Sequence, residues 1–318
     1  MEIAIALLIG LTLLVTGGEL LVRGSVAAAK SLGVSPLLIG LTLVGFGTST
    51  PELVTSVTAA IEGSPGIAVG NVVGSNTANI LLILGAAAII YPLTVDPKAF
   101  QRDAIMVGAS ALACLAVVLY GTMTPLIGAI FIASLLAYVG YVYVQEKNAP
   151  DEAAEVIAHI VEDTGKGPKT ILLSVGMAVA GIAITILGAR FFVGGAVDLA
   201  KNFGVSETII GLTVVAVGTS MPELVASVIA ALRKHSDVAY GNIIGSNIFN
   251  VLFVLGATSL VKPIDIPPQI AQLDIWVMLG ATALLIFFAR SGFRLQRWEG
   301  VAFVGAFVAY TAFLISIA

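Results

Sequence analysis

Two long apolar stretches each carry a proline–glutamate pair near their middle, and one offset of 171 residues lays the first on the second. The first reads Gly45-Phe46-Gly47-Thr48-Ser49-Thr50-Pro51-Glu52-Leu53, and the second Gly218-Thr219-Ser220-Met221-Pro222-Glu223-Leu224. The same offset carries Gly40-Leu41-Thr42 onto Gly211-Leu212-Thr213. It also carries Gly70-Asn71-Val72-Val73-Gly74-Ser75-Asn76-Thr77-Ala78-Asn79 onto Gly241-Asn242-Ile243-Ile244-Gly245-Ser246-Asn247-Ile248-Phe249-Asn250. About 70 residues align without a gap, which marks an internal duplication. Each apolar stretch exceeds the roughly 20 residues that cross a bilayer. A carboxylate at the centre of such a segment costs roughly 2.5–3.5 kcal/mol on insertion scales. The best-kept parts of the repeat are therefore the parts least suited to lipid, and something must compensate for them.

The rest of the composition agrees with a membrane setting. The chain has 318 residues, of which 58% are hydrophobic and 11% charged, against about 25% charged in soluble domains. A polytopic, all-helical membrane protein is expected, with little left over for a soluble domain. The net charge of −4 and the lack of a basic patch give no handle for nucleic acid. The one cysteine, Cys114, lies in an apolar run, reads as a small core residue and allows no intrachain disulfide framework. Met1-Glu2-Ile3 lacks the basic start of a cleaved signal peptide, so the first apolar run is expected to stay as a helix.

Apolar runs and breakers predict ten membrane segments. They lie near 2–22, 36–61, 66–91, 101–120 and 124–144, then 170–195, 207–232, 238–261, 272–290 and 295–317. Gly33-Val34-Ser35-Pro36, Gly63-Ser64-Pro65-Gly66, Tyr91-Pro92 and Lys262-Pro263 separate them. The chain divides into a first five-helix repeat over 1–144, a linker over 145–169 and a second repeat over 170–318. An odd number of crossings sends the second repeat into the membrane from the opposite side. The repeats are then inverted, a transporter plan that puts the binding site at their interface near the midplane. With the N-terminus outside, twelve Lys and Arg fall on the inner side and only Arg190, Lys201 and Lys262 on the outer, as the positive-inside rule requires. Both termini are expected outside and the linker in the cytoplasm. The acidic run 151–163 has the pattern of a short amphipathic helix. It lacks the alternating oxygen ligands and turn glycine of an EF-hand loop, so it reads as a solvated connection.

The repeated motif has a definite chemistry. Pro51 lacks an N–H and crowds the preceding turn, so the helix should break just before it, and Gly45 and Gly47 loosen the same region. Carbonyls freed by a break find no partner in lipid. Glu52, Ser49 and the carbonyls near Thr48 thus form a cluster of hard oxygens, and Glu223, Ser220 and the carbonyls near Thr219 supply a second from the opposite direction. A blander reading competes. Ser49-x-x-Glu52 and Ser220-x-x-Glu223 have the form of a capping box with proline early in the helix. A cap does not explain why both halves would place a costly carboxylate in hydrocarbon, so an ion site is preferred.

The second motif extends it. Ser75 and Asn79 share a helical face, as do Ser246 and Asn250, and they are expected to face the ions. Asn71, Asn76, Asn242 and Asn247 divide between that role and interhelical hydrogen bonds, and Gly70 and Gly74 should permit close helix contact. Two carboxylates are neutralised by one dehydrated Ca²⁺, which takes six to eight oxygens, or by two Na⁺. The constellation holds no cysteine or histidine, which argues against a thiolate or imidazole metal site. Mg²⁺ gives up water reluctantly. The residues alone reach a cation antiporter with Ca²⁺ a leading candidate. Proton-coupled Ca²⁺ exchange is the near alternative, since protons compete for desolvated carboxylates. A passive cation channel and an intramembrane serine protease stand further off. His159 and His235 fall in a loop and at a helix end, so no base activates Ser49 or Ser220.

These paired motifs resemble the two α-repeats of the cation/calcium exchanger superfamily, and within it the chain looks like a prokaryotic sodium/calcium exchanger. The likeness covers nearly the whole chain. It implies ten transmembrane helices in two inverted five-helix repeats, with the second and third helices of each repeat walling the site. It implies that Glu52 and Glu223 bind Ca²⁺ with the carbonyls of Thr48 and Thr219. Na⁺ would use the same glutamates with Ser49, Ser75, Ser220 and Ser246, and Gly45 and Ala216 would supply further carbonyls. The first and sixth helices would slide across the other eight. Some members carry an aspartate where this chain has Asn79 and Asn250, which bears on stoichiometry; one branch also needs K⁺. Ca²⁺ and Na⁺ are the implied cargo. No organic cofactor or obligatory protein partner is implied, and the setting is a prokaryotic inner membrane.

Overall fold

The computed structural model describes residues 2–147, 168–202, 216–268 and 270–317. The acidic run 151–163, His159 and Gly211-Leu212-Thr213 fall outside them. The helices are α1 (Glu2–Leu32), α2 (Pro36–Ile61, broken at Ser49), α3 (Pro65–Ile90), α4 (Pro97–Tyr120) and α5 (Pro125–Lys147). The second half supplies α6 (Pro168–Asn202), α7 (216–232, broken at Ser220), α8 (Ser236–Val261), α9 (Ile270–Arg290) and α10 (Arg297–Ile317). Among the described residues nine helices are long and apolar enough to span a membrane; the described part of α7 contributes the shorter Met221–Leu232.

Several expected boundaries move. The first helix continues past 22 to Leu32, so Arg23 and Lys30 ride on helix rather than on a connection. Lys98 and Arg102 likewise sit in the first turns of α4. The sixth helix runs on past 195 to Asn202, and Arg190 lies well inside it. The reason is common to all three: helix propensity and an apolar face carry a helix through an isolated charge, whereas glycine and proline stop it. Gly63 (φ 79°) and its repeat counterpart Lys234 (φ 62°) close α2 and α7 in the left-handed conformation that ends helices.

Among the described residues four two-residue strands tie the connections together. They are β1 (Leu93–Thr94), β2 (Thr122–Met123), β3 (Ile264–Asp265) and β4 (Arg294–Leu295). β1 pairs antiparallel with β4, and β2 with β3. The duplication makes β3 the counterpart of β1 and β4 that of β2, so each pairing joins one repeat to the other and the two are exchanged by the repeat symmetry. Each also joins connections that the alternating crossing order puts on one side. The helices interlock in the same way. α10 packs on α3 where Gly85 and Gly300 meet, and a Cβ on Gly300 would lie 2.6 Å from the Gly85 carbonyl oxygen. α5 packs on α8 through Gly128 and Gly256, with a Cβ on Gly128 2.6 Å from the Gly256 oxygen.

The centre belongs to α8 and α3, whose spans are 83% and 72% buried, against 17% for α10 at the rim. Cys114 is buried in the core, as its apolar setting implies. α1 and α6 lie against one another along their length. Gly10 faces Phe192, Gly17 faces Thr185, Gly24 faces Ala178 and Gly181 faces Leu21, each at backbone contact. Small residues let membrane helices approach this closely.

Candidate functional site

The repeated motif does break its helices. Ser49 leaves helical geometry (φ −79°, ψ 5°) between Gly45–Thr48 and Thr50–Ile61, and Ser220 does the same (φ −89°, ψ 12°) before Met221–Leu232. A second irregularity faces them. α3 and α8 each pass from α to π geometry, over Asn79–Leu84 and Asn250–Leu255. The wider turns start at the two asparagines of the repeated motif, and π segments in helices tend to mark functional sites. Four distortions thus converge where α2, α3, α7 and α8 meet.

Glu52 and Glu223 are both fully buried, at 0% exposure. The capping-box reading fails here, because neither Ser49 nor Ser220 makes a side-chain cap bond. Their hydroxyls cross over instead. Ser220 Oγ donates to Glu52 Oε1 at 3.0 Å, and Ser49 Oγ donates to Glu223 Oε1 at 3.3 Å. Ser75 Oγ also donates to Glu52 Oε1, at 3.4 Å, and stands 3.2 Å from Ser220 Oγ. In the other repeat Ser246 Oγ donates to the Gly45 carbonyl at 3.4 Å and lies 3.5 Å from Thr48 Oγ1. Thr48 Oγ1 in turn donates to the Val44 carbonyl at 3.0 Å. Thr219 lines a cavity beside the site with Thr50 and Pro51, and Ala216 opens the described part of α7.

The asparagines separate by role. Asn71 Nδ2 donates to the Glu52 carbonyl (3.1 Å) and Ser56 Oγ (3.0 Å); Asn242 Nδ2 donates to the Glu223 carbonyl (3.3 Å) and Ser227 Oγ (2.9 Å). This pair clamps each glutamate helix to the next helix. Asn76 Nδ2 donates to the Asn247 carbonyl at 3.1 Å, and Asn250 Nδ2 to Asn76 Oδ1 at 3.1 Å, so these cross between repeats. Asn79 is fully buried with neither side-chain atom bonded. The close glycine contact expected of Gly70 and Gly74 is made instead by their counterparts. A Cβ on Gly241 would lie 2.6 Å from the Leu37 oxygen and one on Gly245 2.3 Å from the Leu41 oxygen, whereas Gly74 meets nothing within 4 Å among the described residues.

Ser56 and Ser227 were not anticipated. Each follows its glutamate by one helical turn and the two obey the common offset, a signal that the motif spacing contains.

Buried polar atoms are usually hydrogen-bonded. Here Glu52 Oε2, Glu223 Oε2, Asn79 Oδ1 and Asn250 Oδ1 are buried without a partner. No ion pair among the described residues reaches either glutamate. Two buried carboxylates without a counter-charge are costly, and bound cations or protons relieve that cost. The arrangement is a set of hard oxygens with at most two formal negative charges. No cluster of three His, Cys, Asp or Glu occurs among the described residues. We expect Ser49→Ala and Ser220→Ala each to weaken cation binding by roughly ten- to a hundredfold, since a hydrogen bond to a charged group contributes roughly 1.5–3 kcal/mol. The ion-free variants should also melt a few degrees lower, because each hydroxyl donates to a buried carboxylate and that bond is lost. Cation titrations and melts of the two variants check both.

The sequence profile described as "Sodium/calcium exchanger protein" matches residues 3–145 and again 173–316. The putative antiporter CaxA of Alkalimonas amylolytica is 38% identical over 98% of both chains. The sodium/calcium exchanger MaX1 of Methanosarcina acetivorans is 33% identical, again over 98% of both. A solved structure of the sodium-calcium exchanger NCX_Mj superimposes with a TM-score of 0.83 at 29% identity, covering 98% of each chain.

Proposed function

The chain belongs to the sodium/calcium exchanger protein family, and on that premise we propose how this molecule carries out Na⁺/Ca²⁺ antiport. Glu52 and Glu223 bind the transported ions at the interface of two inverted repeats, 1–144 and 170–318, joined by 145–169. The termini lie outside a prokaryotic inner membrane. Ca²⁺ is held by both carboxylates and by the carbonyls of Thr48 and Thr219. Na⁺ ions take the same carboxylates with Ser49, Ser75, Ser220 and Ser246, supported by the carbonyls of Gly45 and Ala216 and by Asn79 and Asn250. No organic cofactor takes part.

The observation that carries this reading is the crossed pair of serine–glutamate hydrogen bonds, each of which leaves one carboxylate oxygen unpartnered. Every glutamate is thereby tied to the opposite repeat. A movement of one repeat element against the other changes the oxygen set around both carboxylates together. Such a site can hold one ion species at a time and present it to either side, which is what exchange requires.

The test is uptake of radioactive Ca²⁺ into proteoliposomes loaded with Na⁺ and diluted into Na⁺-free buffer, with proton-ionophore and K⁺ arms. Uptake is expected to need the Na⁺ gradient and to survive the ionophore. Uptake that ignores Na⁺ and follows a pH gradient would withdraw the serine assignments, and a strict K⁺ requirement would add a third ion to the site.

A further inference from the structure

An inverted repeat relates each contact at one end of the molecule to a contact at the other. By the offset of the duplication, Glu19 of α1 corresponds to Arg190 of α6, and Arg233 of α7 corresponds to Glu62 of α2. The two ends therefore carry one charge pair each, with the signs exchanged between helices.

At the inner end the pair is made. Arg233 Nε donates to Glu19 Oε2 at 3.1 Å and its terminal nitrogen reaches Oε1, while Arg23 also bonds Glu19. The neighbouring Gly18 is pressed against α7, where a Cβ would lie 2.5 Å from Val225 and 2.6 Å from Ile229. At the outer end the corresponding surfaces stand apart. Ala189, Arg190 and Val193 of α6 line a cavity of about 280 Å³ with Thr50, Val54 and Thr55 of α2, and the cavity runs to Thr219 beside the site. Ala189 and Val54 are the counterparts of Gly18 and Val225, which touch at the other end. Arg190 and Glu62 are both exposed and neither has an ion-pair partner among the described residues.

We propose that Arg190 and Glu62 form an ion pair that closes the outer end, in alternation with the Glu19–Arg233 pair that closes the inner end in this structure. The inference rests on the exchanger reading above. One movement accomplishes both changes. α1 and α6 are packed backbone to backbone at Gly10, Gly17, Gly24 and Gly181, so they travel as a unit. A slide of that unit toward the Glu62 end carries Arg190 from the level of Thr50–Thr55 toward Glu62 and draws Glu19 away from Arg233. The helix rises ~10 Å between residues 55 and 62, part of which the long arginine side chain spans. The inner pair has a second cation, Arg23, where the corresponding outer position is Gly194. That asymmetry favours the conformation closed at the inner end, which is the one observed.

The experiment measures opening of the cavity and transport side by side. In a Cys114→Ala background, Val54→Cys is labelled with a water-soluble maleimide in detergent, and the same proteins are reconstituted for Na⁺-driven Ca²⁺ uptake. In an E19Q parent, whose loosened inner end populates the outer-closed state, R190E and E62R should each speed labelling by up to about two- to fivefold, the range of an exposed ion pair, and slow uptake. The double charge swap R190E/E62R should return both readings toward the parent. The neutral R190Q and E62Q should shift labelling the same way by less, and E19Q, which loosens the opposite end, should slow it. The proposal is overturned if the single variants leave labelling unchanged, or if the swap is no closer to the parent than either single. A parent without Na⁺-driven uptake would remove the proposed function, and the labelling series would still decide whether the two residues pair.

Discussion

Glu52→Gln and Glu223→Gln are each expected to abolish Ca²⁺ exchange, with the protein remaining folded and monodisperse in detergent. Two unit charges 4 Å apart attract by about 4 kcal/mol at an effective dielectric of 20, and a divalent ion doubles this. Even after generous discounting, the loss of one carboxylate exceeds 2.8 kcal/mol, or ~100-fold in affinity. Folding should not suffer by a like amount. Glutamine keeps an acceptor for the crossed serine bonds that Ser220 and Ser75 make to Glu52, and that Ser49 makes to Glu223. It also removes a buried charge that has no protein counter-charge. The ion-free variants should melt at or above the parent. Uptake assays with matched melts read both effects. Transport at the parental rate by either variant would return that glutamate to a structural role.

Gly181→Val should separate the paired helices and cost the protein its fold or its movement. A Cβ at Gly181 would lie 2.4 Å from the Leu21 nitrogen, 2.7 Å from its Cα and 2.8 Å from the Gly17 oxygen. All three are backbone atoms of α1, so no side-chain rotamer relieves the contact. Overpacking in a tight interior commonly costs 1–3 kcal/mol, and more where backbone must shift; about 3 kcal/mol is expected here. Gly176, on the same helix, meets nothing within 4 Å among the described residues. Gly176→Ala is the matched control and should leave melting and uptake near the parent. Equal behaviour of the two variants would show that α1 and α6 do not depend on this approach.

The motif spacing alone picked out most of the side chains that the fold brings together at the candidate site. Glu52, Glu223, Ser49, Ser220, Ser75 and Ser246 were legible because a polar residue in an apolar segment needs a reason, and the duplication supplied each of them twice. The helix breaks at Ser49 and Ser220 were legible for a local cause, the missing N–H of Pro51 and Pro222. The family followed from the same paired motifs. What local rules misplaced are helix ends: the first helix runs on from 22 to Leu32 and the sixth from 195 to Asn202. Arg190 falls within the expected segment 170–195, but nothing local in the sequence says what faces it. In the fold it lies inside α6 on the wall of a cavity.

The sequence by itself determined the duplication, the inverted helical plan and the oxygen chemistry at its centre, since these follow from hydrophobicity, chain order and residue type. Only the tertiary structure decided between a cap and a crossed hydrogen bond at Ser49 and Ser220. The capping partner is three residues away in the chain, whereas the glutamates they reach are 174 and 168 residues away. Only the tertiary structure, too, distinguished the two ends of a nearly symmetric molecule. The repeats prescribe the same contacts at both, and it is the position of α1 and α6 along their neighbours that leaves Glu19 paired and Arg190 facing open space.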